Sequence, residues 1–162
     1  MQLALVLIMP FFGALAAATL SRLSRSYGAI AAVITCLSCL LLLYPLCATV
    51  FSGQTIIQTI TWIPSIDLNL TFRLDGLGLL FALLILGIGL LVVIYARFYL
   101  SSRDSMGRFY AYLMLFMGAM LGIALSENII QLLIFWELTS VSSFLLISYW
   151  QQREEARSGA RM

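Results

Sequence analysis

Five long apolar segments decide which folds are open to this sequence. They cover residues 3–20, 28–51, 76–100, 108–125 and 128–150, with more polar stretches of unequal length between them. A helix rises about 1.5 Å per residue, so about 20 apolar residues cross the hydrocarbon core of a bilayer. We therefore predict an all-α membrane protein with about five transmembrane helices, in one transmembrane domain over residues 1–162.

The composition excludes a soluble domain and gives no support to several functions. Hydrophobic residues make up 62% of the chain and charged residues 10%, whereas soluble domains carry about 25% charged residues. A net charge of +2 is too small to suggest a nucleic-acid partner, and no histidine is present. With no cofactor-binding motif or metal-ligand pattern, we expect no cofactor, no metal and no enzymatic activity in this chain itself.

Two of the three cysteines form a C-x-x-C motif, Cys36 and Cys39, inside the second apolar segment. A redox or metal site is one interpretation. A second cysteine pair or a histidine would be needed to complete a usual metal site, and the sequence has neither. Small apolar side chains packed between helices are the favoured interpretation.

The arginines predict the orientation of the chain. If all five segments span, eight of the nine lie on one side, at positions 22, 25, 97, 103, 108, 153, 157 and 161, and only Arg73 lies on the other. The positive-inside rule then places the N-terminus outside and the C-terminus in the cytoplasm. We expect a multi-pass protein of the cell inner (plasma) membrane. Its first segment is expected to be retained, because it lacks a cationic start and a cleavage pattern.

The stretch between the second and third segments does not have a helical pattern. Residues 66–75 alternate strictly between apolar and polar side chains, and the preceding "TIIQTITWI" is rich in Thr, Ile and Trp. Period-two alternation is typical of a half-buried strand. With Pro64 and Ser65 as the turn, the pattern predicts an extracellular β-hairpin, which should lie on helix ends because an isolated hairpin is only marginally stable.

Small residues mark possible close contacts between helices. Gly118 and Gly122 form G-x-x-x-G in the fourth segment, and Gly87 and Gly89 lie in the third. In membranes such residues let helix backbones approach each other.

The fifth segment contains an acid, Glu137, near its middle. A carboxylate at the centre of a membrane helix costs about 2.5–3.5 kcal/mol on insertion scales. No cation of this chain is expected at the same depth, so either Glu137 carries a proton or its partner lies outside these residues. Two interpretations stay open: a proton-transfer residue supported by a polar stripe of Ser140, Ser143 and Thr139, or a hydrogen-bonding contact between helices.

Several motifs of this chain resemble a known family. They are "FRLDGLGLLFALLI", "YARFYLSS", "SENIIQLLIFWE", "FWELTSVSSFLLISY" and "REEARSGARM", in that order over residues 61–162. They resemble the antiporter-like subunits shared by Mrp-type multi-subunit Na⁺/H⁺ antiporters and the membrane arm of respiratory NADH:quinone oxidoreductase. The sequence around Glu137 is most similar to that of the A subunit of the Mrp type.

The resemblance implies more than the residues show. Such subunits have about fourteen or more helices in two inverted five-helix repeats, and a Glu on helix five interacts with a Lys on a broken helix seven. The Glu matches Glu137, and the Lys matches no position here. We therefore expect the N-terminal part of a larger subunit, with other antiporter subunits, the bilayer, protons and Na⁺ as partners.

Two other functions remain open. One is a membrane-arm subunit of a complex I-like oxidoreductase or a membrane-bound hydrogenase. The other is a structural or assembly piece that transports nothing. Cation selectivity, stoichiometry and the identity of the base that pairs with Glu137 do not follow from the sequence.

Overall fold

Five long helices and one β-hairpin make up the chain. The computed structural model describes residues 2–63, 68–100 and 105–150. The elements are α1 (Gln2–Leu20), α2 (Arg25–Phe51), β1 (Ile56–Ile63), β2 (Leu68–Leu74), α3 (Gly76–Tyr99), α4 (Met106–Leu125) and α5 (Ile129–Ile147), followed by a 3-10 turn (Ser148–Trp150). All five helices are long and apolar enough to cross a membrane. The predicted fold class is confirmed, although the fifth helix ends at Ile147 rather than at residue 150.

Helix α4 is the centre of the bundle. It packs against all four other helices, and α2 packs in addition against α1 and α3. Gly118 faces Phe11 of α1, and a Cβ added there would lie 2.9 Å from the ring. Gly122 faces the ring of Phe135 in α5, where an added Cβ would overlap it. The two glycines therefore do allow close approach, but to two different helices rather than to one.

The glycines of α3 differ from each other. A Cβ on Gly89 would overlap the side chain of Met117. The absence of a side chain at Gly89 therefore lets α4 pack closely against α3. A Cβ on Gly87 would meet nothing within 4 Å. Of the two glycines that the sequence suggested in this helix, only Gly89 is at a helix contact.

The two ends of the bundle differ in charge. At one end, here called the arginine-rich end, lie Arg22, Arg97 and Arg108. At the opposite hairpin end lie Arg73, the two strands and the start of α1, whose Ala4 N–H donates to Gln58 Oε1 at 3.4 Å. This places the N-terminus of α1 and the hairpin at one end, as five spans require. The other arginines lie outside the described side chains.

The predicted hairpin is present. Strands β1 and β2 pair antiparallel from Ile56↔Leu74 to Ile63↔Leu68, with an irregularity between Thr61 and Ile63. The turn between them lies outside the described residues. In β2, Phe72 and Leu74 are buried and Arg73 between them is exposed. The alternation of the sequence is therefore seen in the burial of Phe72, Arg73 and Leu74, while Asn69, Leu70 and Thr71 are all half-buried.

Strand β2 ties the hairpin to the loop between α4 and α5. Phe72 forms a bridge with Ser126, and Glu127 N–H donates to the Thr71 carbonyl at 3.1 Å. The guanidinium of Arg73 reaches the carboxylates of Glu127 at 3.3 Å and Asp75 at 3.4 Å. Asp75 also caps α3 by accepting from Gly78 N–H at 2.8 Å. The hairpin therefore lies on helix ends, as a marginal two-stranded sheet requires.

Candidate functional site

Helix α5 contacts the rest of the chain through one face only. It begins after Asn128, whose side-chain oxygen accepts from Ile130 N–H at 2.8 Å and satisfies one of the free donors of the first turn. This inward face carries Gln131, Phe135 and Ser142, and Phe135 meets α4 at Gly122. Their spacing of four and seven residues is that of one helical face. The sequence did not predict which face this would be.

Gln131 is a structural residue that the sequence did not identify. It is 2% exposed, and its Oε1 accepts from Thr71 N–H of β2 at 2.9 Å. Its Nε2 is buried with no hydrogen-bond partner among the described residues. Gln131 thus links the first turn of α5 to the hairpin by a hydrogen bond. A single polar residue early in an apolar helix was the only indication of this role.

Glu137 lies on the opposite side of α5 and is exposed. It is eight residues from the start of the helix at Ile129, which is about 12 Å along the axis, and ten from its end. Within residues 2–63, 68–100 and 105–150, both ion pairs belong to Arg73 at the hairpin end, and none involves Glu137. The described part of the chain therefore holds a mid-helix acid without an ionic partner.

The hydroxyls of the predicted polar stripe bond within α5 and not to Glu137. Ser140 lies on the same side of the helix as Glu137, whereas Thr139, two residues on, lies on the far side. Ser140 is exposed, and Thr139 and Ser143 are half-buried. Thr139 and Ser140 donate to the Trp136 carbonyl at 2.6 and 3.3 Å, and Ser143 donates to the Ser140 carbonyl at 3.0 Å. The three hydroxyl groups donate their protons to carbonyls of α5. Their oxygen atoms can therefore still accept a hydrogen bond from another group.

The surroundings of Glu137 on α5 are apolar and open. Leu133, Val141 and Phe144 all expose about half of their surface. A charged group in contact with lipid is unfavourable, and intramembrane acids almost always face protein or a wet cavity. We infer that this face of α5 lies against protein or water rather than against acyl chains.

The C-x-x-C cysteines lie away from this helix. Cys36 and Cys39 are free thiols buried in α2, and Cys39 Sγ contacts the Val6 carbonyl of α1 at 3.7 Å. Their neighbours are the apolar side chains of the core.

The fold defines a class: a multi-pass membrane protein, with an acid, Glu137, near the middle of its fifth long apolar helix. Residues 60–110 match the family described as NADH-Ubiquinone oxidoreductase (complex I), chain 5 N-terminus. The chain is 57% identical over 113 residues to the A1 subunit of the Na(+)/H(+) antiporter of Staphylococcus aureus strains JH9 and Newman. That match covers 70% of this chain and 14% of each relative.

Solved structures agree with the sequence relatives. The chain superposes on part of the Mrp complex from Dietzia sp. DQ12-45-1b with a TM-score of 0.82 and 26% identity, over 99% of this chain and 18% of that one. It also has the fold of part of the membrane-bound sulfane sulfur reductase, an archaeal respiratory membrane complex. There the TM-score is 0.69 at 21% identity, over 91% of this chain and 23% of that one.

These matches confirm the resemblance found in the sequence. The chain is similar to the N-terminal part of the A subunit of an Mrp-type antiporter, in the family that the complex I membrane arm shares. It spans about a seventh of the length of the curated relatives it matches.

Proposed function

We propose that this chain is the N-terminal part of a proton-translocating subunit in a multi-subunit cation/proton antiporter. The observation that carries the proposal is the position of Glu137, halfway along α5 and on the face turned away from the other helices. In the assembly this face is covered by further helices that supply a cationic partner. Other subunits, the bilayer, protons and Na⁺ are the partners, and no bound cofactor takes part.

The proposed chemistry needs only a carboxyl group that changes its protonation state. Glu137 takes up a proton when its surroundings hold no nearby positive charge. An approaching cationic group stabilises the carboxylate and favours release of the proton. Coupling this cycle to cation movement through the complex makes transport dependent on the proton-motive force. Of the predicted stripe of Ser140, Ser143 and Thr139, Ser140 is the hydroxyl on the same side of α5 as Glu137, and it keeps the region beside the carboxyl group polar.

A complex I-like membrane arm is the second candidate. It is supported by the family match over residues 60–110 and by the fold shared with an archaeal respiratory complex. The 57% identity to a protein of the Na(+)/H(+) antiporter favours the first candidate. The subunits that purify with the chain separate the two: small antiporter subunits in one case, and redox subunits with quinone or hydrogen chemistry in the other.

The proposal is tested by removing the chain from its complex. In everted vesicles from cells whose complex lacks these residues, we expect Na⁺-dependent proton movement to be lost, and to return when the residues are restored to the complex. The chain purified alone and placed in vesicles should show none, because Glu137 then has no cationic partner. Full antiport in the deletion strain would overturn the proposal, and robust antiport by the chain alone would overturn the need for a larger subunit.

The orientation proposed for the chain is N-terminus outside and C-terminus in the cytoplasm of a bacterial cell. Two exposed positions at opposite ends test it: Gln54, before β1, and Leu23, between α1 and α2. We expect an impermeant thiol reagent to label Gln54→Cys in intact cells and Leu23→Cys only after permeabilisation. The parent chain, with its three cysteines inside α2, measures the background. The reverse pattern would mean that the orientation is inverted.

A further inference from the structure

A groove between α2 and α3 opens at the arginine-rich end of the bundle, far from Glu137. It encloses a cavity of about 450 Å³. Its walls are apolar side chains of both helices, Ile30, Val33 and Ile34 from α2 and Ile94 and Phe98 from α3. Ile34, Ile94 and Phe98 are exposed at the groove, so it opens to the surroundings of the bundle and not to its core.

Arg97 and Ser26 close the groove at the arginine-rich end. Arg97 Nη2 donates to Ser26 Oγ at 2.8 Å and so holds the guanidinium between the two helices. A guanidinium has five N–H donors, and both ion pairs among the described residues belong to Arg73. Most donors of Arg97 are therefore available to an anion outside the bundle, and the guanidinium fork suits a phosphate.

Aromatic rings place this entrance at the level of the membrane surface. Tyr95 and Tyr99 stack with ring centroids 5.3 Å apart beside Arg97, and Tyr27 lies exposed next to Ser26. Tyrosine is enriched where hydrocarbon meets lipid headgroups. From Ser26 to Ile34 the groove then runs about 12 Å into the hydrocarbon region.

We propose that this groove binds an anionic phospholipid, with the phosphate on Arg97 and one acyl chain along the apolar wall. Charge and size support this occupant. A helix about 10–12 Å in diameter would occupy roughly two to three times the volume of the groove over the same length. The apolar wall suits the acyl chain of a lipid, and the cationic entrance suits the phosphate of its headgroup. Basic pockets between membrane helices are known to hold such headgroups. The site does not depend on the proposed function.

The test uses the purified assembly with a Phe98→Trp reporter at the edge of the groove. The assembly is placed in phosphatidylcholine vesicles that contain brominated phosphatidylcholine or brominated phosphatidylglycerol with the same chains. Bromine quenches the fluorescence of a tryptophan that it touches. The quenching in the reporter assembly minus that in the parent assembly therefore reports on lipid at the groove. We expect phosphatidylglycerol to be preferred about five-fold, the size of one arginine near an anionic surface.

Matched variants identify the charge responsible. Arg97→Gln should remove the preference, while Arg22→Gln, an exposed arginine at the same end that does not line the groove, should leave it unchanged. Val33→Phe should fill the groove and lower quenching by both lipids. If Arg97→Gln fails to assemble, raising the salt concentration on the parent assembly tests the same charge, and the preference should fall.

Three results would overturn the proposal. The first is equal quenching by the two lipids in the reporter assembly. The second is a preference that survives in Arg97→Gln or at high salt. The third is the absence of extra quenching by either lipid, which would mean that protein from elsewhere in the complex fills the groove.

Discussion

Glu137→Gln should abolish antiport by the assembled complex while the complex still forms. The amide has nearly the shape of a protonated carboxyl group, so packing on α5 is kept, and removing a mid-membrane acid does not hinder insertion. It cannot take up and release a proton, and positioned proton-transfer groups typically contribute 10²–10⁴-fold. We therefore expect the rate of Na⁺-dependent proton movement in everted vesicles to fall about a hundredfold or more, with a normal complex on native gels.

Two comparisons make this result specific. Glu137→Asp keeps the titratable group and withdraws it by one methylene, so partial activity is expected. Glu127→Gln changes the other acid of the α4–α5 region, which is exposed and paired with Arg73 at the hairpin end. Exposed ion pairs contribute about 0–1 kcal/mol, so this variant should transport normally. A Glu137→Gln complex that transports like its parent would leave Glu137 as a hydrogen-bonding contact between helices.

The second large effect is expected at Gly122. Helix α5 is held mainly by α4, and Gly122 is the place where the Phe135 ring meets the backbone of that helix. In Gly122→Leu the new side chain occupies the position of the ring and forces α5 away. Overpacking of this kind costs about 1–3 kcal/mol and occasionally more. We expect a clear fall in the thermal stability of the purified complex and in the amount that assembles.

Gly87 provides the matched control. It is also a glycine in a membrane helix, but nothing lies within 4 Å of an added Cβ. Leucine is a better helix former than glycine by about 1 kcal/mol, so Gly87→Leu should be neutral or slightly stabilising. Adding Phe135→Ala to Gly122→Leu should recover part of the loss, because the two residues share one contact. Equal stability of Gly122→Leu and Gly87→Leu would mean that α5 is not seated by this contact.

The two effects concern the same helix for different reasons. Gly122 and Gln131 fix where α5 lies, through Phe135 on one side and the Thr71 N–H on the other. Glu137 projects from the face that neither of them touches. A variant at Gly122 should therefore reduce transport together with assembly, whereas a variant at Glu137 should separate the two.

Much of this architecture follows from local patterns in the sequence. The lengths of the apolar segments give the number of spans. The thickness of the bilayer core and the rise per residue of a helix together fix how many residues one span needs. The alternation over residues 68–74 sets the strand, because its period cannot be that of a helix. The depth of Glu137 is likewise a matter of counting along one helix.

How these elements face each other depends on the packing of the helices in three dimensions. Lipid and protein core are both apolar, so a membrane helix shows little contrast between its buried and exposed sides. That is why the sequence could not tell that α5 turns Gln131 and Ser142 inward and Glu137 outward. The G-x-x-x-G spacing could not show that Gly118 and Gly122 receive rings from different helices. The bond between Arg97 and Ser26 joins residues 71 positions apart, and a contact at that separation depends on how α2 and α3 pack, which no local pattern encodes.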